Sequence, residues 1–457
     1  MTHPVGSPAL PSFSSLGLPK PVVATLARKG IETPTPIQQV VLPDALAGRN
    51  VLGRAKTGSG KTLAFGLPVL AALAGGERRP KAPRGLILLP TRELATQVRD
   101  ALDPVAEALG LRMATVYGGT SIERQIQRLR SGVDLVVATP GRLGDLIERR
   151  AVTLDRIEVT ALDEADHLCD LGFYKPIDRL LALTPADGQR LLLSATLDGD
   201  VDRLVRRHLP QHVLHEIESD ESDAAAMEHH LLVTPREQRL EVVRALVEAN
   251  PRAIVFTRTK RGATRLAKQL TTAGIEAVDM HGDLAQNRRE RNLAKFSAGQ
   301  ASAIVATDVA ARGIHVDDVR LVVHFDVPAE HKAFTHRSGR TARAGESGTV
   351  VTMTMPEDLR DTLALQRKAG VAARRHTAAN APRPMTAQAL STSGELPKDE
   401  PQGQHQPTGG RPARQGQGGR PGGGGGGGNR NRRRRPSGNA SRSGNGGGAG
   451  RPRTPQR

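Results

Sequence analysis

Cysteine occurs once in the 457 residues, at Cys169, and tryptophan not at all. A disulfide framework and a cysteine-rich zinc site are therefore excluded. Aromatic side chains are scarce, with seven Phe and two Tyr. No surface is expected to bind mainly by stacking planar ligands on aromatic rings. Long apolar runs are missing too. The longest largely apolar stretch, near residues 64–74, falls well short of the roughly 18 residues a membrane span requires. The start, Met1-Thr2-His3-Pro4, shows no charged segment followed by an apolar one, so a secretory signal is not expected. These absences point to a cytoplasmic protein with no membrane partner. Acidic residues are absent from 401–457, a stretch with 12 Arg and no Lys. The chain carries +18 overall, and 53 of its 65 basic residues face 47 acidic ones in the first 400. Most of the excess charge thus sits in the last stretch, as a flexible arm for a polyanion requires. A passive solubilising extension is the competing reading.

What the chain does have is a repeated grammar. Short apolar, β-branched runs alternate with helical-looking segments. In the first half they include 85–89, 133–137, 159–162 and 191–193. Each ends in a polar cluster: Pro90-Thr91-Arg92-Glu93, Ala138-Thr139-Pro140-Gly141-Arg142, Asp163-Glu164-Ala165-Asp166 and Ser194-Ala195-Thr196. Buried parallel strands read this way, and ligands bind outside their carboxyl ends. The grammar restarts after a polar stretch around 216–226, with runs at 253–256, 277–280, 303–306, 321–323 and 349–352. The fold class expected is α/β, with two tandem parallel-sheet domains. Their expected bounds are 1–212 and 228–370, with a linker over 213–227 and a disordered Arg/Gly-rich tail over 371–457. The Gly422–Gly428 and Arg432–Arg435 runs cannot bury a core.

Two clusters carry chemistry. The loop Ala55-Lys56-Thr57-Gly58-Ser59-Gly60-Lys61-Thr62 follows an apolar run. Its glycines let backbone N–H groups close on phosphate oxygens, and a following helix offers its N-terminus. Ala55 stands where the strict loop pattern has glycine. Lys61 is expected on the β- and γ-phosphates and the Thr62 hydroxyl on Mg²⁺. About a hundred residues later, Asp163 and Glu164 provide one carboxylate for the metal and one for the attacking water. A phosphate cradle and paired carboxylates, each at the end of an apolar run, point to a nucleotide-driven motor.

With these motifs the chain resembles the DEAD-box ATP-dependent RNA helicases of superfamily 2, of bacterial type, over about residues 13–355. The resemblance implies two RecA-like domains. It implies that Phe13 and the segment around Gln38 read adenine, and that Asp163 holds Mg²⁺ while Glu164 handles water. Asp166, Ser194 and Thr196, with His336 and Arg337, become the relay between the domains. Arg340 and Arg343 match the arginine fingers that neutralise charge on the transferred phosphoryl group. RNA contacts fall to Thr91, Arg92, Gly118, Gly119, Thr139, Arg142, Thr257, Arg289 and Thr307, gripping phosphate and 2′-OH with little sequence preference. His315 stands where the family usually has Asp toward the ribose, so a weaker or pH-sensitive hold on ATP is expected. The expected activity is RNA-dependent ATP hydrolysis by a monomer that clamps and locally unwinds RNA. Ribosomes or RNA-decay proteins are candidate partners. An RNA chaperone or scaffold acting through the basic tail, and a DNA helicase, are the alternatives.

Overall fold

The computed structural model describes residues 12–55, 58–217, 227–311, 316, 318–342 and 346–395. The tail beyond Glu395 lies outside them. So do Lys56, Thr57, His315 and Arg343.

The first sheet is built from β1 (Val51–Arg54), β2 (Gly85–Leu88), β3 (Met113–Val116), β4 (Leu135–Ala138), β5 (Val159–Leu162), β6 (Gln189–Ser194) and β7 (Val213–Glu216). Its order is β3-β4-β2-β5-β6-β1-β7, and every pairing is parallel. The second sheet uses β8 (Met227–Val233), β9 (Ala253–Phe256), β10 (Ala277–Met280), β11 (Ala303–Ala306), β12 (Leu321–His324), β13 (Gly348–Thr354) and β14 (Arg374–Thr377). Its order is β10-β11-β9-β12-β13-β8-β14. Subtracting seven from each label reproduces the first order, so the two domains share one topology. The expected apolar runs all form strands, and all but 277–280, the edge strand β10, lie inside a sheet.

Parallel strands need crossovers, which place helices on both faces and bury both. The side-chain period of two then splits each strand between two cores. Ile87 faces one core with Leu135 and Val137; Leu86 and Leu88 face the other with Val136 and Ala138. The second sheet divides the same way, Val255 to one side and Ile254 and Phe256 to the other. The apolar stretch near 64–74 is the buried helix Lys61–Leu73. Among the described residues no helix is long and apolar enough to cross a membrane.

Two expected boundaries are corrected. Val213–Glu216 is not linker: it pairs with β1 as the edge strand of the first sheet. The tail does not begin at 371. β14 pairs with β8, Arg375 bridges to Glu395, and Met385 and Leu390 are fully buried in the second domain's core. Asn250 ties this extension down, donating to Met385 O at 2.7 Å and accepting from Ala387 N at 2.9 Å. Ending the chain after residue 370 removes two core side chains, Met385 and Leu390, each worth about 2–5 kcal/mol. That truncation is expected to lower the second domain's melting temperature sharply, and truncation after 395 to leave it unchanged. Differential scanning calorimetry of the two shortened chains checks this.

Candidate active site and nucleic-acid groove

The phosphate loop leaves β1 at Ala55, whose N–H donates to Ser194 O at the end of β6 at 3.1 Å. Gly58 and Gly60 adopt φ of +88° and +93°, which disfavours a side chain. A Cβ on Gly60 would stand 2.7 Å from both Gln38 Nε2 and Thr35 Oγ1, so glycine alone admits this contact. Gln38 Nε2 donates to Gly60 O at 2.9 Å, and its Oε1 accepts from Thr35 N at 3.0 Å. The glutamine therefore fastens the Thr35–Gln38 turn to the loop. Lys61 opens the next helix, is 6% exposed, and donates from Nζ to Ala55 O at 2.8 Å. Phosphate oxygens entering the loop would have to replace that carbonyl.

The acidic run follows β5 directly. Asp163 Oδ1 accepts from Glu164 N at 2.9 Å, and Glu164 sits at φ +51°, in the left-handed region. From there the chain turns into the short helix Ala165–Asp170. Burial pushes the Asp163 carboxyl up to about 7, against the nearby Lys61 and with the neighbouring Glu164 charge. Burial would also raise Glu164, but its hydrogen bond to His167, with the charges of His167, Arg340 and Lys61, outweighs it and holds the group down to about 2. Asp166 joins the end of β6: its N–H donates to Ser194 Oγ at 3.1 Å, and its Oδ2 accepts from Thr196 N at 3.2 Å. Ser194 Oγ in turn donates to Thr196 O at 2.7 Å. These three expected relay residues form one hydrogen-bonded unit inside the first domain.

An Asp raised from 3.8 to about 7 stabilises the fold while it is protonated. That stability is complete below pH 3.8 and is lost as pH rises through about 7. At roughly 1.4 kcal/mol per pH unit the ceiling is about 4 kcal/mol. Asp163→Asn is therefore expected to be more stable than the parent at pH 8 without Mg²⁺, with the gap shrinking below pH 7. Denaturant titration of both at pH 5 and 8 measures it; a pH-independent gap contradicts the burial effect.

Arg340 crosses to this site from the second domain. A small cavity is lined jointly by Lys61, Glu164, Asp166, Ala195, His167, His336 and Arg340. His336 is thus interdomain. Arg337 is not. Its guanidinium is 3% exposed and pairs with Asp308 Oδ2 at 2.8 Å and Asp326 O at 2.6 Å, all within the second domain. It braces the helix His331–Ser338 that presents His336. Phe13 is also corrected: it is 1% exposed in the first domain's core and packs there instead of facing a base.

A second cleft feature is a groove of about 450 Å³ walled by Thr91, Arg92, Gly118, Thr139, Arg142 and Arg289, among others. Gly119 lies under the Arg92 guanidinium, where a Cβ would come within 2.0 Å of Nη1. Arg92 is depressed below the usual arginine range by burial and by Arg289 and Arg142, so three guanidiniums converge there. Thr257 and Thr307 directly follow β9 and β11 but do not line this groove. Glu93, read from sequence only as part of the Pro90-Thr91-Arg92-Glu93 cluster, binds the domains together. Its Oε2 lies 2.9 Å from Arg289 Nη2, an ion pair without hydrogen-bond alignment, and its Oε1 accepts from Gln286 Nε2 at 3.2 Å.

Residues 35–204 match the DEAD/DEAH box helicase family, and 238–345 match the helicase conserved C-terminal domain. The ATP-dependent RNA helicase RhlB of Sodalis glossinidius is 39% identical over 353 residues, 76% of this chain and 85% of that protein. The chain belongs to the DEAD-box helicase family. The ATP-dependent RNA helicase CshA of Listeria monocytogenes is 39% identical over 349 residues. That match covers 76% of this chain but 66% of CshA, so the chain spans just under two thirds of that relative's length. The tandem RecA-like fold is shared with S. cerevisiae Dbp5 bound to RNA and ADP BeF3, at TM-score 0.71 and 27% identity, over 80% of this chain and 95% of Dbp5. In this DEAD-box chain the family segments carry the phosphate loop, the acidic run and Arg340, the residues that meet in the cleft.

Proposed function

We propose that this chain is an RNA-dependent ATPase that clamps RNA between its two domains, bends one strand and separates short duplexes. Hydrolysis to ADP and phosphate then reopens the clamp. The observation that carries this reading is the shared cavity, where Lys61 and Glu164 from one domain meet His336 and Arg340 from the other. A site divided in this way is complete only when the domains close, which ties chemistry to what lies in the cleft. Relatives named as RNA helicases, and a similar fold bound to RNA and a nucleotide analogue, support the same ligands here.

The residues fit a divalent cation. Asp163 is buried and raised, so an ionised carboxylate there lacks full compensation, which a cation supplies. No group of three or more His, Cys, Asp or Glu that could hold a metal ion gathers among the described residues, this site included, so any cation here has few protein ligands. That suits Mg²⁺, which takes few protein ligands and leaves the rest to phosphates and water. Asp163 and Thr62 would hold it, and it would neutralise phosphate charge. Lys61 contacts the terminal phosphates, Gln38 orients the base side of the loop, and Glu164 orients and deprotonates water. Arg340, with Arg343, stabilises the charge that develops as the phosphoryl group leaves.

In the groove, Arg92, Arg142 and Arg289 hold phosphates, while Thr91, Thr139 and the Gly118-Gly119 turn let the backbone approach. Such contacts read phosphate and ribose, not base order. The arginine-rich tail adds salt-sensitive, nonspecific affinity. A cytoplasmic monomer working on structured RNA, with ribosomal or RNA-decay partners, fits this reading. ATPase assays with purified RNA, single-stranded DNA and neither test it, using the full chain and a chain ending at 395. Stimulation by RNA alone is expected. Equal stimulation by DNA, or duplex separation surviving Lys61→Ala, would overturn it.

A further inference from the structure

His167 belongs to none of the roles above, yet it is buried against the acidic run. It is 4% exposed, and its Nδ1 lies 2.9 Å from Glu164 Oε2. Glu164 is ionised at neutral pH and can only accept hydrogen bonds, so Nδ1 carries the proton and donates. The ring is held from the main chain as well. His167 N–H donates to Asp166 Oδ1 at 2.9 Å, and Leu168 N–H donates to Glu164 O at 2.9 Å. Glu164 itself occupies the left-handed region at φ +51°, a conformation that a non-glycine residue keeps only where its surroundings impose it. The other ring nitrogen, Nε2, is buried with no hydrogen-bond partner among the described residues. The ring lines the cavity that Lys61, His336 and Arg340 enter from two domains.

We propose that His167 is a positioning residue for hydrolysis: its Nδ1–H fixes Glu164 Oε2 and so commits the other carboxylate oxygen, Oε1, to the attacking water. This rests on the ATPase reading of the same site. As water oxygen bonds to the terminal phosphorus, the bond to the ADP oxygen breaks, and one water proton passes to Oε1. Without His167 the carboxylate rotates about its last torsion, which is soft for a terminal sp² group, and either oxygen can turn toward Lys61 or Arg340 instead. Glu164 caps the helix Ala165–Asp170 from outside, and its left-handed backbone brings the carboxylate onto the His167 ring in the first turn.

Steady-state RNA-stimulated ATPase of the full chain tests this with His167→Leu, His167→Asn and His167→Gln. Losing an orienting partner of this kind costs about 10–100-fold, so His167→Leu should lower kcat by that factor with KM for ATP within about 2-fold. Asparagine places its amide nitrogen near the Nδ1 position and should restore kcat to within about 3-fold of the parent. Glutamine reaches toward the Nε2 position and should not. A parental kcat in His167→Leu, or equal rescue by both amides, overturns the inference. If the leucine variant does not fold, the contrast between Asn and Gln still decides. Glu164→Gln runs in parallel. If it hydrolyses ATP at the parental rate, the site reading itself fails; if it is inactive while His167→Leu is normal, only the positioning role fails.

Discussion

Arg340→Ala is expected to slow RNA-stimulated ATP hydrolysis by about 10³-fold while ATP still binds. Arg340 is the second domain's cation at the shared cavity, 6% exposed and close enough to Glu164 to help hold that carboxyl down. A cation positioned before reaction acts on charge that appears only in the transition state, so its loss falls on kcat. Lysine at 340 should recover little. Its compact ammonium cannot reproduce the planar fork that engages two phosphate oxygens at once. Steady-state kinetics with saturating RNA, together with fluorescent-nucleotide binding, separate the two effects. A variant whose KM rises while kcat holds would show that Arg340 merely binds ground-state ATP.

Glu93→Ala is expected to weaken RNA binding in the presence of a non-hydrolysable ATP analogue by about 10²-fold or more. Glu93 is 4% exposed in the first domain, and its partner Arg289 is 8% exposed in the second. Removing one member of a buried ion pair leaves an uncompensated charge and costs about 3–5 kcal/mol. The cost arises only when the domains are closed, because open domains return both groups to water. Interdomain fluorescence transfer should therefore show a smaller closed population at fixed RNA concentration. The exchange of charges, Glu93→Arg with Arg289→Glu, should recover part of the loss in a double-mutant cycle. An unchanged closed population in Glu93→Ala would remove the pair from the closing step.

Much of this was legible in the sequence for a definite physical reason. Strands buried on both faces must be apolar throughout, so β2, β4, β5, β9, β11 and β12 stand out as runs. Parallel pairing then brings all their polar ends to one edge. The same logic explains what was missed. β7 and β14 are edge strands, half-exposed along Val213–Glu216 and Arg374–Thr377, and an edge strand needs no apolar run. The Arg-Arg-His-Thr sequence of β14 therefore reads as tail, although the shared strand order requires a seventh strand in each sheet. Phe13 and Arg337 were misplaced because motif spacing does not reveal whether a side chain ends in a core, in an intradomain ion pair or in the cleft. Glu93 and His167 could have been found as polar residues on the first turns of helices that leave strand ends. Their partners, however, lie across the cleft or one helical turn away, contacts that residue type alone does not name.

The most direct measurement is a crystal structure of the full chain with single-stranded RNA and the beryllium fluoride complex of ADP. The Arg340 guanidinium should lie about 3 Å from the fluoride group that replaces the terminal phosphate, opposite Lys61, with Arg343 beside it and Glu164 facing the in-line water. Closed domains in which both arginines point away from that group would contradict a catalytic site divided between the two halves.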